Sequence, residues 1–170
     1  VTFYDAGHIL GSACVLLELE ENGQKRRVLF SGDLGSDGRA ILPDPADPPQ
    51  VDTVIMETTY GNREHKDLKN SIAELYEAIN TTIAGHGNAL IPSFALERSQ
   101  EILYYLREGV EKGALPKNLR VYLDSPMAIS ATEIFRRHPE GFDEETWQVL
   151  MSGRDPFALP GLHFTRDTAD

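Results

Sequence analysis

The sequence predicts an α/β chain whose first sixty residues are mainly β and whose remainder alternates strands with helices around a mainly parallel sheet. Three observations carry this. An Asn-Gly pair joins two apolar, strand-like runs near the start. Apolar residues recur at three- and four-residue spacing from about residue 67 onward. Short apolar runs then separate the helical stretches, which is the alternation that builds parallel sheets.

The chain opens at Val1 in a strand-like run. Residues 13–20 and 25–31 read as strands, and Glu21-Asn22-Gly23-Gln24 joins them as a hairpin, because Asn and Gly both tolerate positive φ. The stretch 35–50, with Pro43, Pro45, Pro48 and Pro49, cannot form a regular ladder, whereas 51–57 reads as a strand ending on Glu57. From Asp67 to Gly85, Ile72, Leu75, Tyr76, Ile79 and Ile83 share one face of a long helix. Ala89–Pro92 reads as a short strand, and 95–108 as a second amphipathic helix stopped at Gly109. A strand over 119–124 precedes Ser125-Pro126, which opens a helix running to His138. Asp143 caps a fourth helix that ends near Gly153 and holds Trp147 in the core, and 162–165 reads as a last strand. The composition shift near residue 62 marks a domain boundary, giving segments 1–62 and 63–170.

Composition narrows the functional classes. At 41% hydrophobic and 25% charged, the 170 residues have the balance of a folded globular chain. No run approaches the ~20 apolar residues of a membrane helix, and the first residues lack a signal-peptide pattern. The single cysteine, Cys14, excludes a disulfide framework and any Cys-rich zinc knuckle, and points to a cytoplasmic protein. A net charge of −11 disfavours nucleic-acid binding by bulk electrostatics. Val1 and Asp170 both lie beside strand-like runs rather than linkers, so the chain reads as an excerpt of a longer protein.

Three runs place an acid or ligand-type side chain beside small residues at a strand end. They are Asp5-Ala6-Gly7-His8-Ile9-Leu10-Gly11-Ser12-Ala13, Phe30-Ser31-Gly32-Asp33-Leu34-Gly35 and Met56-Glu57-Thr58-Thr59-Tyr60-Gly61. Imidazole and carboxylate on one rim suit Zn²⁺ or a similar divalent ion, although a structural histidine is the commoner reading of spacing alone. Elsewhere, Pro92-Ser93-Phe94-Ala95 leads into a helix whose free N–H groups suit a phosphate, with Arg98 one turn in. The alternative is that Ser93 is a cap and Arg98 a surface ion-pair residue. Ser125 likewise either touches phosphate or starts a helix, and Arg63 and His65 either line the site or lie on an exposed loop.

In order, these runs and Glu57-Thr58-Thr59-Tyr60-Gly61-Asn62-Arg63-Glu64-His65, Ile91-Pro92-Ser93-Phe94-Ala95-Leu96-Glu97-Arg98-Ser99-Gln100 and Leu123-Asp124-Ser125-Pro126-Met127-Ala128 resemble the β-CASP branch of the metallo-β-lactamase superfamily. That branch holds RNA-processing nucleases, and a prokaryotic-type member fits best. The resemblance implies part of a metallo-β-lactamase αββα sandwich over 1–62 and most of an inserted β-CASP α/β domain over 63–170, with RNA cleaved in the cleft between them. It implies that His8 binds one of two zinc ions, that Asp33 bridges both, and that Glu57 orients a later histidine. Paired divalent ions are what in-line phosphodiester hydrolysis requires, and they would supply positive charge that the acidic chain lacks. Ser93, Phe94, Arg98, Ser125, Arg63 and His65 would contact single-stranded RNA through its phosphates, and the family allows a homodimer.

The family's His-x-His-x-Asp-His cluster is absent from the five histidines, as are its later histidine motifs. With His8 and Asp33 alone, two-metal binding fails, since catalytic zinc takes three protein ligands, and the 170-residue chain by itself is expected to be inactive. Two rivals stand beside a zinc ribonuclease: a non-catalytic RNA-binding or scaffold member, and a DNA-directed metallo-nuclease. Neither endonuclease nor 5′-exonuclease action is chosen by these residues.

Overall fold

A computed structural model of the chain describes residues 1–64 and 66–166. It divides into two compact units, Val1–Glu64 with Gly141–Asp143, and His65–Glu140 with Glu144–Asp170. Among the described residues no helix is long and apolar enough to cross a membrane.

The first unit is a four-stranded sheet. Strands β1 (Thr2–Asp5), β2 (Ala13–Glu21), β3 (Gln24–Phe30) and β4 (Thr53–Ile55) lie in the order β1-β2-β3-β4. The first three are antiparallel, and β4 joins β3 in parallel. The hairpin turns where the sequence places it: Glu21 pairs with Gln24, and Asn22 and Gly23 both take positive φ, 53° and 77°. That pair of left-handed residues matches the twist of the flanking strands. Alternation along β2 sends Cys14 and Leu16 inward, where they pack with Ala6 and Leu29, and Tyr4, Leu34 and Val51 close the cluster. The Pro-rich stretch carries no strand, but it is tied back to β1 where Ala46 N–H donates to the Asp5 carbonyl at 2.9 Å. Only three residues of the predicted 51–57 strand enter the ladder, which leaves Glu57 just beyond its end.

In the second unit, α1 (Leu68–Ala84) starts at Asp67, whose side chain accepts from Asn70 N–H, and ends at Gly85. Ile79 is buried and Ile72, Leu75 and Tyr76 half-buried along one face. Helices α2 (Arg98–Glu111), α3 (Pro126–Arg137) and α4 (Glu144–Met151) and the parallel pair β5 (Val121–Leu123) and β6 (Leu162–Phe164) complete it. Ser125 caps α3 by accepting from Ala128 N–H, with Pro126 at the first helical position. Gln100 Nε2 ties α2 to α3 through Thr132 Oγ1 at 2.9 Å, and the Phe135 and Phe157 rings meet edge to face at 5.8 Å. The buried Arg107 is compensated three ways: it stacks on Tyr104, donates from Nε to the Pro156 carbonyl, and pairs with Glu111 at 2.6 Å.

Four expectations are corrected here. Ala89–Pro92 is not a strand; among the described residues no neighbour is hydrogen-bonded to it, and a run of strand-like composition needs a ladder partner to become one. Helix α2 begins three residues late, because Glu97 takes φ 63° and ψ −62°, outside the helical region. Arg98 is therefore its first residue rather than one turn in, and Ser93 does not cap it. Gly109 does not stop α2 but lies inside it; a Cβ there would stand 2.9 Å from the Tyr76 ring and 2.8 Å from Leu115, so the glycine lets α1 and α2 approach. Trp147 is 38% exposed rather than core.

Candidate functional site

Two loops at the sheet's end carry the candidate ligands of the first unit. The β1–β2 loop is a compact turn: Ala6 N–H donates to the Ser12 carbonyl and Ser12 N–H to that of Ile9, at 3.1 and 2.9 Å. Ser12 Oγ accepts from the N–H groups of His8 and Ile9, and Asp5 Oδ1 accepts from Gly7 N–H. These bonds fix the backbone of His8 and leave its imidazole half-buried. After β3, the second loop carries Asp33, and Gly35 N–H donates to the Ala6 carbonyl at 2.8 Å. The loops touch so closely that a Cβ on Gly35 would stand 1.8 Å from the Gly7 carbonyl oxygen. Glycine at 35 is what lets the His8 and Asp33 loops share one edge.

Glu57 belongs to the same edge. Its Oε1 accepts from Leu34 N–H at 2.7 Å, its Oε2 accepts from the Thr59 hydroxyl and N–H, and its own N–H donates to Ser31 Oγ at 3.1 Å. The Thr59 hydroxyl, then the Leu34 N–H, hold the Glu57 carboxyl below its ordinary range, and the nearby His8 adds to the effect. Glu57 is therefore an ionised, oriented acceptor rather than a proton donor near neutral pH.

Among the described residues the side chains of His8 and Asp33 make no hydrogen bond, so a ring nitrogen and a carboxylate are both open to a ligand. Their donor chemistry fits a divalent ion of the zinc type. Their number does not complete one: no group of three His, Cys, Asp or Glu side chains is gathered among the described residues.

The second unit brings Ser93 and Ser125 to one groove of about 900 Å³, with Asp124 beside them. Ser93 Oγ lies 3.0 Å from Ser99 Oγ, and the Phe94 ring is 83% exposed. Arg98 pairs with the buried Glu101 at 2.6 Å while half its side chain stays exposed. Ser125 Oγ accepts from Ala128 N–H as the α3 cap, and among the described residues its own O–H donates to no partner. In the first unit, Arg63 lies on an exposed turn 5.1 Å over the Tyr60 ring. His65 lies outside the described residues. Sequence reasoning did not assign Ser12, Ser31, Thr59 or the Gly7–Gly35 contact; hydroxyl residues and glycines inside the three runs were the available signal.

Residues 99–170 match the Beta-Casp domain model. The chain is 39% identical over 168 residues to "Ribonuclease TTHA0252" of Thermus thermophilus, an alignment that covers 99% of the chain and 37% of that relative. It is 38% identical over 162 residues to "Transcription termination factor FttA" of Methanosarcina mazei, covering 92% of the chain and 25% of the relative. It is 32% identical over 158 residues to the "RNase J-like protein" of Methanocaldococcus jannaschii, covering 91% of the chain and 36% of the relative. The chain thus spans between a quarter and little more than a third of the length of these curated relatives. With the α/β architecture and the order of its motifs, these likenesses make the chain a relative of the β-CASP nucleases.

Proposed function

We propose that the chain is part of a zinc-dependent ribonuclease that hydrolyses phosphodiester bonds of single-stranded RNA in the cytoplasm. In this reading 1–62 contribute to a metallo-β-lactamase αββα sandwich and 63–170 to a β-CASP domain. His8 and Asp33 hold zinc together with ligands from further residues of the parent protein. A bound pair of divalent ions supplies the nucleophile and the charge that phosphodiester hydrolysis requires.

The chain's own residues do the rest. Ser12 fixes the turn that carries His8, and Gly35 keeps the Asp33 loop against it. Glu57, held ionised by Thr59 and Leu34, orients a proton-donating group. Ser93, Phe94, Ser125, Arg63 and His65 contact the RNA, and Arg98 offers phosphate the exposed half of a guanidinium already anchored on Glu101. The observation that carries the reading is the Gly7–Gly35 contact, which joins two loops whose imidazole and carboxylate make no hydrogen bond among the described residues. A second reading, favoured by the relatives named transcription termination factors, is that RNA hydrolysis serves termination.

The test uses the full-length parent protein. Asp33→Ala and His8→Ala should each abolish cleavage of single-stranded RNA and lower zinc content, whereas Gly38→Ala should change neither. Strict preference for DNA at equal salt, or full activity in both ligand variants, overturns the proposal. The isolated 170-residue chain should cut nothing.

A further inference from the structure

Two large apolar side chains of the second unit stand in water on backbones that are fixed. The Phe94 ring is 83% exposed, and Met127, in the first turn of α3, is 72% exposed. The Phe94 carbonyl accepts from Ser99 Oγ at 2.7 Å and from Ser99 N–H at 3.2 Å, and Ser99 is itself buried. Met127 lies between Ser125 and Ala128, which the α3 cap joins at 3.2 Å. A single exposed hydrophobe is ordinary. Two of them on fixed backbones are preorganised for contact, because little backbone freedom is left to lose on binding.

Gln100 ties the two backbones together. Its side chain is fully buried, and Nε2 donates to the Ala95 carbonyl at 3.2 Å, the Ala128 carbonyl at 3.3 Å and Thr132 Oγ1 at 2.9 Å. Phe94 and Met127 are the residues just before those two carbonyls in sequence, so one amide nitrogen serves both. The polar groups beside them are of one kind. Ser93 and Ser125 line one groove, the Ser125 O–H donates to no partner among the described residues, and Arg98 keeps half its side chain exposed. Hydroxyl and guanidinium donors suit a phosphate, whereas a phenyl ring and a thioether have no donor for one. What ring and thioether offer is an apolar, polarisable surface, the complement of the π-face of an unstacked base.

We infer that Phe94 and Met127 are the two sides of a clamp that takes one unstacked nucleobase of a single strand, while Ser93, Ser125 and Arg98 hold the phosphate beside it. The clamp deepens the proposed ribonuclease reading and rests on it for the identity of the strand. It selects single strands, because the bases of a duplex are stacked on one another and show no free face. It accepts any of the four bases, because each has a π-face.

The test is binding of fluorescein-labelled oligouridylate to the full-length parent protein, followed by anisotropy in EDTA to halt metal-dependent cleavage, with an abasic residue stepped along the oligomer. In the unsubstituted protein one abasic position should weaken binding roughly five- to a hundredfold, the range of base–aromatic stacking. Phe94→Ala should weaken binding of the intact oligomer by a similar factor and abolish the penalty at that position, whereas Phe94→Trp should keep both. Met127→Ala should weaken binding about two- to tenfold, the range of a sulfur–ring contact. Because both side chains are exposed, circular dichroism should be the same in every variant. An abasic penalty that persists in Phe94→Ala, or an affinity that Phe94→Ala leaves unchanged, overturns the clamp and leaves the pair to a protein contact. Oligothymidylate separates the two readings: a position-specific penalty seen on DNA alone, and abolished by Phe94→Ala, keeps the clamp and refutes the RNA substrate.

Discussion

Replacing Gly35 by alanine probes the contact on which the first unit's site depends. The added Cβ would stand 1.8 Å from the Gly7 carbonyl oxygen and 2.2 Å from its carbon, where real Cβ contacts do not come under 3.0 Å. The obstacle is backbone, so no side chain can swing aside, and the loops must part by roughly 1 Å or more. That separation breaks the bond from Gly35 N–H to the Ala6 carbonyl, worth about 1 kcal/mol, and overpacking adds about 1–3 kcal/mol. The expected loss is about 2–4 kcal/mol. Gly38→Ala is the control: its φ of 70° carries a left-handed penalty of about 1–2 kcal/mol, but nothing lies within 4 Å of its Cβ. Hydrogen exchange of the β2–β3 ladder amides reads the first unit's stability apart from that of α2. In the parent protein the displaced loops should also lower zinc affinity about 10–100-fold, as disturbed ligand support does. A Gly35→Ala chain as stable as Gly38→Ala would refute the reasoning.

Three further outcomes are expected. Gly109→Ala should destabilise the second unit by about 1 kcal/mol or more by denaturant titration, although alanine is the better helix former, because its Cβ meets Tyr76 and Leu115. Tyr76 is half-buried, lies beside Glu108 and donates to the Tyr105 carbonyl, and partial burial, then Glu108, push its phenol up to about 12. A raised pKa gives stability that is full below about pH 10 and lost as pH climbs through about 12, so alkaline unfolding of α1 from α2 should shift in Tyr76→Phe, followed by circular dichroism. Burial, and then Asp5, push the Cys14 thiol up, so it should resist a thiol reagent in the folded chain and react fully in denaturant.

The elements legible in the sequence are those set by local chemistry. Asn22-Gly23 needs no distant partner to make its turn, Asp67 caps α1 with its own carboxylate, and Ser125-Pro126 opens α3. Ala89–Pro92 was misread because strand formation depends on an edge far away in sequence. Gly109 was misread because a glycine ending a helix and one admitting a neighbouring ring look alike without that neighbour. The runs around His8, Asp33 and Glu57 were visible as motifs, but their support was not. Only the fold brings Gly35 onto Gly7 and aims the Leu34 N–H at Glu57, and neither contact has a local signature.

The most direct measurement is calorimetric zinc titration of the 170-residue chain beside its His8→Ala and Asp33→Ala variants, with RNA cleavage followed in the same samples. Zinc should bind weakly at one site that either substitution removes, without RNA turnover. Two tightly bound zinc ions with turnover, or zinc binding that survives both substitutions, would contradict the placement of His8 and Asp33 in a metal site that the chain only partly supplies.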